Sequence, residues 1–251
     1  MNFWNNFKNK QNLIIAHRGY SAKYPENTLL AFREAISKSD FFELDVAFSK
    51  DGIPIIMHDD TLERTTNAKE LPNFKPPYNI HDYTLQELKS LDASSWFSKE
   101  LPKQSIPTLK EALTLAKEHN LPVNIEIKDL TNTPFDKVAT QKVLELVEEL
   151  NMQNMVLISS FKHDYLLQSK ELEPNISTAA IVENLHPKNT IKYLKNLGVS
   201  AYNIDIEIFN PTLTQELSKE GIVTNVFTVN DNSLKKNLFN QRVKGIFTDN
   251  L

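Results

Sequence analysis

No cysteine occurs anywhere in the 251 residues, so disulfides and thiolate metal ligands are both excluded, and the composition suits a reducing compartment. Glycine is scarce at five, so each is expected where the backbone needs it. No run is long or apolar enough to span a bilayer, and residues 1–12 lack the continuous apolar core of a signal peptide, so no stable membrane insertion is expected and the cytoplasm is the expected location. Charge of one sign is also missing. A formal net charge of −4 gives no reason to expect nucleic acid as partner, and a charged small molecule is the better expectation.

What is present concentrates between His17 and Asn67. The stretch opens I-A-H-R-G-Y-S-A-K-Y-P-E-N-T, passes through F-F-E-L-D-V and closes on P-I-I-M-H-D-D-T-L-E-R-T-T-N. Histidines and carboxylates stand where short apolar runs stop, and strand ends are where reacting groups gather in α/β folds. Alternation along Phe41–Val46 puts Glu43 and Asp45 on one face of a strand and Leu44 on the other. Phe41, Phe42, Val46 and Phe48 around them predict burial on both faces, as in a parallel sheet. Two inward carboxylates repel each other and resist desolvation, so they want a cation, and a hard divalent ion fits. Ser49-Lys50-Asp51-Gly52 predicts a hairpin turn into Pro54–Met57, which sets His58 roughly opposite Asp45. The run Leu13–Ala16, ending at His17, is expected as the neighbouring strand. Either histidine alone reads as a structural, hydrogen-bonded residue; together, flanking a Glu-x-Asp pair, they read as a reaction centre.

The rest of the chain alternates. Helical runs are expected at Thr28–Ser39, with Thr28 or Asn27 as cap, and at Thr84–Leu91, Thr108–Asn120, Pro134–Leu150, His163–Leu172, Pro187–Leu197, Pro211–Lys219 and Ser233–Asn240. Extended apolar runs begin near Leu13, Phe41, Val123, Met155, Ile176, Ala201, Ile222 and Gly245. Gly198, Gly221 and Gly245 each fall between a helical run and a strand, where a left-handed helix-ending residue is wanted. Eight βα units predict an α/β fold, a closed (β/α)8 TIM barrel, as one domain over 1–251 with its site at the carboxyl ends of the strands. Asp60–Ile106 interrupts the pattern with several prolines and reads as an inserted lobe after the hairpin. Its Phe74, Tyr78, Tyr83, Trp96 and Phe97 are expected to pack on each other, or alternatively to line a binding wall. Phe3, Trp4 and Phe7 are expected to form a lid on the barrel's base, with a weak membrane-interface anchor as the alternative.

Two later strands add to the centre. Glu126 and Lys128 share a face at the end of the third parallel run, and Glu126 with Glu43 and Asp45 makes an all-oxygen site suited to Ca²⁺ or Mg²⁺ rather than to zinc. Arg18 and Lys128 bring positive charge nearby, so an anionic substrate such as a phosphate ester would be clamped among them. Asn203, Asp205, Phe227, Val229 and Asp249 also fall at strand ends.

With H-R-G at His17–Gly19, P-E-N-T at Pro25–Thr28, E-L-D at Glu43–Asp45, H-D at His58–Asp59, R-T-T at Arg64–Thr66, I-P-T-L at Ile106–Leu109 and I-E-I-K at Ile125–Lys128, the chain resembles the glycerophosphodiester phosphodiesterases. The likeness runs nearly its whole length, through V-F-T-V-N and G-I-F-T-D. It implies that Glu43, Asp45 and Glu126 hold one divalent ion, Mg²⁺ or Ca²⁺ with Mn²⁺ a further option. It implies that His17 and His58 are the acid–base pair; His17 is taken here as base and His58 as acid, although the mirror assignment fits the same spacing. Arg18, Lys128 and Phe227 would bind substrate, and Glu26, Asn27 and Asp59, within the matching motifs, would support the site. Phe227 and Asn67 depart from the Trp and Gly that members commonly carry there. The implied reaction releases glycerol 3-phosphate and an alcohol such as choline or ethanolamine. A lysophospholipase D or sphingomyelinase D-like enzyme is the alternative that keeps the site and changes the substrate. A silent phosphodiester-binding module would have lost a histidine or a carboxylate, and none of the five is missing.

Overall fold

Apolar runs without polar alternation are buried on both faces, and the computed structural model, which describes residues 2–251, places them accordingly. The strands are β1 (Leu13–Ala16), β2 (Phe41–Phe48), β3 (Pro54–Ile56), β4 (Val123–Ile127), β5 (Val156–Ser160), β6 (Ser177–Val182), β7 (Ala201–Asp205), β8 (Val223–Phe227) and β9 (Gly245–Thr248). They form one sheet in the order β1-β9-β8-β7-β6-β5-β4-β2-β3, and β1 pairs in parallel with both β9 and β2, which closes a TIM barrel. Only β3 runs antiparallel, as the outer arm of the hairpin from β2.

Helices α1 (Leu29–Ala35), α2 (Leu85–Ser90), α3 (Leu109–Glu118), α4 (Ala139–Glu149), α5 (Asp164–Leu172), α6 (Thr190–Leu197), α7 (Pro211–Lys219) and α8 (Asn232–Asn240) follow. Caps set several starts. Thr108 and Glu111 close a capping box on α3, and Asn210 and Asp231 accept the first free N–H groups of α7 and α8. The outward residues of the strands, among them Leu44, Ile125, Ile158 and Val226, pack against Phe32, Leu113, Val143, Leu166, Leu194 and Leu217 of the helices. No helix among the described residues is long and apolar enough to cross a membrane.

Inside the barrel, the amino-terminal half is filled by Leu13, Ile15, Phe41, Leu157, Ala179, Ala201 and Phe247. Phe3–Phe7, a single 3₁₀ helix, caps this end as expected: Phe3 and Phe7 are buried, the Phe3 N–H donates to Ser177 Oγ at 3.2 Å and Trp4 Nε1 to Ser200 Oγ at 3.0 Å.

Three local expectations give way. Helix α1 stops at Ala35 rather than Ser39, because the Ile36 and Lys38 N–H groups donate three residues back, to the Arg33 and Ala35 carbonyls, and tighten the chain into turns. Thr28 alone caps α1, whereas Asn27 adopts a left-handed φ of 57° and sends its side chain into the barrel. Gly198 and Gly221 end helices with positive φ, but Gly245 already belongs to β9 and is needed for closeness, since a Cβ there would lie 2.5 Å from Asn225 Oδ1. In the lobe, Phe74, Ile80, Tyr83, Leu88 and Leu91 pack with Ile55 and Ile106 into a separate cluster, so self-packing rather than pocket lining takes up most of its aromatics.

Candidate active site

The carboxyl ends of the strands surround a cavity of about 560 Å³. Register builds it: β2 and β4 pair with Asp45 beside Glu126, and the two-residue period turns Glu43, Asp45 and Glu126 inward together. Ligand oxygens of these three residues lie within 4.8 Å of one another, and the residues are 2%, 1% and 9% exposed. Burial, then the charges of Asp45 and Glu126, pushes Glu43 well above the usual carboxylate range, and burial beside Asp45 raises Glu126. Burial alone would raise Asp45 too, but Lys128, Arg18 and His58 together pull it down. Glu43 Oε1 is buried with no hydrogen-bond partner. An all-oxygen, over-anionic, partly unpaired donor set of this kind fits a hard divalent cation.

The two histidines border the same cavity. Met57, whose N–H donates to the Asp45 carbonyl at 3.0 Å, is the residue opposite Asp45, so His58 sits one position further along the hairpin arm than the turn alone suggests. His17 Nδ1 lies 2.7 Å from Asp249 Oδ1, and His58 Nδ1 lies 2.7 Å from Asp59 Oδ1. The Nε2 atoms of both rings have no partner among the described residues. His163 and His186 behave differently: each places both ring nitrogens against protein, one on a Tyr hydroxyl and one on a backbone carbonyl, and these are structural histidines.

Charged side chains hold the two rings in different ways. Asp249 also accepts from the Ser21 hydroxyl and Asn230 Nδ2, all neutral donors; burial would raise it, but His17 and these bonds hold it at about 2. Asp59 is held at about 2 chiefly by Arg64, whose guanidinium donates to both of its oxygens at 2.6 and 2.8 Å. The same guanidinium grips Glu26 with two bonds of 2.8 Å, and Glu26 in turn accepts from Arg18 Nη1 at 2.9 Å. Burial, helped by Lys128 and Arg18, lowers His58 below its ordinary value, against the opposing pull of Asp45.

Every expected site residue is at or beside this cavity. The Arg18 N–H donates to Glu43 Oε2 at 2.8 Å and its Nε lies 3.5 Å from Asp45. Lys128 Nζ lies 3.0 Å from Glu126 and 3.6 Å from Asp45. Asn27 Nδ2 donates to Asp45 Oδ2 at 2.8 Å, and Glu26 and Asp59 form the chain of ion pairs behind Arg18 and His58. Phe227 lines the cavity, edge-on to Phe161 and Phe247. Sequence reasoning gave no role to Arg64, Asp249, Asn124 or Asn203. Arg64 stands in a quoted motif and Asp249 at a strand end, but their partners are set by the fold. Another cavity, of about 540 Å³, lies beside Asn12, Thr224 and Lys244 toward the other end of the barrel, with neither a histidine nor a carboxylate in its lining.

Residues 17–251 match the model of the glycerophosphoryl diester phosphodiesterase family. The chain belongs to the glycerophosphodiester phosphodiesterase family. A glycerophosphodiester phosphodiesterase of Bacillus altitudinis is 37% identical over 242 residues, 94% of each chain. One from Caldanaerobacter subterraneus is 33% identical over 94% of this chain and 93% of its own. Among solved structures, an Oleispira antarctica phosphodiesterase in complex with the product sn-glycerol-3-phosphate superposes with a TM-score of 0.88 at 31% identity, covering 99% of this chain and 96% of that one. Family membership thus agrees with a barrel whose polar groups collect at one mouth.

Proposed function

We propose that this family member hydrolyses glycerophosphodiesters, such as glycerophosphocholine or glycerophosphoethanolamine, to glycerol 3-phosphate and the free alcohol. The observation that carries this reading is the pair of rings bordering one cavity, each with Nδ1 tied to a carboxylate and Nε2 free, beside three buried carboxylates. Glu43, Asp45 and Glu126 are assigned to one divalent ion, Mg²⁺ or Ca²⁺ with Mn²⁺ the further option, because their donors are all hard oxygens. When bound, such an ion offsets the charge of the carboxylates and stabilises negative charge on phosphoryl oxygens. Arg18, whose buried Nε lacks a hydrogen-bond partner, and Lys128 supply further positive charge for the same oxygens.

His17 acts as base. Its Nδ1–H donates to Asp249, so Nε2 carries the lone pair and takes the proton of the substrate's own glycerol hydroxyl. That oxygen bonds to phosphorus as the bond from phosphorus to the alcohol oxygen breaks, giving a cyclic phosphate. His58, protonated, donates its Nε2 proton to the departing alkoxide; burial makes it ready to give that proton up. In the second half, neutral His58 takes a proton from the water that attacks phosphorus, and His17 returns its proton to the glycerol oxygen that leaves. Diester and water are consumed, and glycerol 3-phosphate and alcohol are released. The chain is assigned to one barrel domain; the lobe of residues 60–106 reaches the cavity through Asp60 and is assigned to its alcohol side.

Incubation with glycerophosphocholine and lysophosphatidylcholine side by side, with product analysis, tests this reading. Glycerol 3-phosphate and choline from the first substrate are expected; faster choline release from the second would assign a lysophospholipase D activity instead.

A further inference from the structure

Unpaired polar groups in the barrel interior recur along the floor of the cavity. Asn203 on β7 is 1% exposed, Asn124 on β4 is fully buried, and both line the cavity. One arm of each amide is fixed to the barrel wall: Asn203 Oδ1 accepts from Asn225 Nδ2 at 2.8 Å, and Asn124 Nδ2 donates to Ser159 Oγ at 2.9 Å. The other arms, Asn203 Nδ2 and Asn124 Oδ1, have no partner. A buried amide arm without a partner weakens a fold unless a bound molecule completes it. The cavity wall on the Asn203 side carries Phe161, Ile181, Phe227 and Phe247, with the polar residues Glu183, Asp205 and Thr228 also in the lining, and none of them bonds to Asn203 Nδ2.

The chemistry of the missing partner follows. Turning over both amides of the Asn203–Asn225 pair keeps their mutual bond and still leaves Asn203 one free arm, now an acceptor. A hydroxyl satisfies either orientation because it both donates and accepts, whereas a phosphoryl oxygen or an ammonium satisfies only one. We propose that Asn203, steadied by Asn225, is a specificity-determining residue that binds the glycerol hydroxyl that His17 does not deprotonate. This rests on the phosphodiesterase reading above and adds to it the contact that separates glycerol esters from other phosphate esters. Asn203 lies on β7, three strands round the barrel from β4, which carries Lys128 at its end, so it lines the same cavity away from the cationic groups that would hold the phosphoryl group.

Calorimetric titration of the protein, with divalent ion present, against sn-glycerol 3-phosphate and against propyl phosphate decides it. The two ligands carry the same phosphoryl group, and only the first has hydroxyls. The native protein should bind the first more tightly, and Asn203→Ala should weaken it by about 10- to 100-fold while leaving propyl phosphate within about threefold. Should that variant fold poorly, Asn225→Ala, whose side chain does not line the cavity, removes the anchor and should give the same selective loss on a smaller scale. Equal weakening of both ligands, or of neither, in a folded variant overturns the proposal. Failure of the native protein to release glycerol 3-phosphate from glycerophosphocholine would instead count against the hydrolytic reading, because the binding comparison does not depend on turnover.

Discussion

The cavity has two walls of opposite character. Along β1, β2, the β3 arm and β4 it is lined by His17, Arg18, Glu43, His58, Glu126 and Lys128, with Asp45 buried among them. From β5 round to β9 it is lined by Phe161, Ile181, Phe227 and Phe247, with Asn203 between them and Glu183 and Asp205 at the rim. The charged wall is held by ion pairs that run from His58 through Asp59, Arg64 and Glu26 to Arg18, so moving one member disturbs several. The apolar wall is held by edge-on aromatic packing, Phe161 to Phe227 at 6.2 Å and Phe227 to Phe247 at 6.3 Å. One wall therefore carries the charges, and the other is apolar around a single buried amide.

The largest effect should come from breaking the charged wall at its centre. Exhaustive chelation, or Glu126→Gln, should lower turnover of glycerophosphocholine by about 10³-fold or more, and added divalent ion should rescue only the chelated native protein. Normal activity of Glu126→Gln after chelation would remove the triad from the mechanism. Next come the histidines. Replacing either with alanine should cost about 10²–10⁴-fold on glycerophosphocholine, but His58→Ala should largely recover on a nitrophenyl ester of glycerol phosphate, whose leaving group needs no proton. Recovery in His17→Ala instead would exchange the two roles.

Smaller losses should follow from the residues behind the rings. Asp249→Asn and Arg64→Ala should each lower kcat by roughly 10- to 100-fold with little change in KM, and Arg64→Lys should restore part of the loss. A change confined to thermal stability would make Arg64 purely structural. The smallest effect is on the fold itself. Glu43 and Glu126 are held above their ordinary 4.5, so they bind more protons folded than unfolded; that contribution is present at low pH and is lost as pH rises above 4.5. The chelated protein should therefore lose Tm as pH rises through that window, while Glu43→Gln should raise its neutral-pH Tm by roughly 2–8 °C. An unchanged Tm with and without divalent ion would show that the carboxylates are not in conflict.

The charged wall was legible because its parts are near neighbours in the chain. Glu43 and Asp45 are two apart on one strand, and His17–Arg18 and His58–Asp59 are adjacent pairs at strand ends, so period and position alone bring them together. The barrel was legible because a parallel strand buried on both faces leaves an unbroken apolar run. What stayed hidden depends on partners across the barrel. Asp249 acquires its place from His17 just after the first strand, Arg64 from Glu26 and Asp59, and Asn203 from Asn225 on the next strand. Gly245 looked like a helix stop because its neighbours in sequence allow that; its actual constraint is the Asn225 side chain, which no local pattern reveals.

The bond between His17 and Asp249 joins residues 232 positions apart, across the seam where β1 meets β9. An arrangement of such long range forms late, because the entropy of closing so large a loop is recovered only when the neighbouring strands are already in place. During synthesis the nascent chain can present the acidic triad and the hairpin, yet His17 has no Asp249 to orient it until β9 docks. If His17 is the base proposed above, partly made or partly unfolded molecules should be inert toward phosphodiesters, and recovery of turnover after dilution from denaturant should report closure of the seam itself.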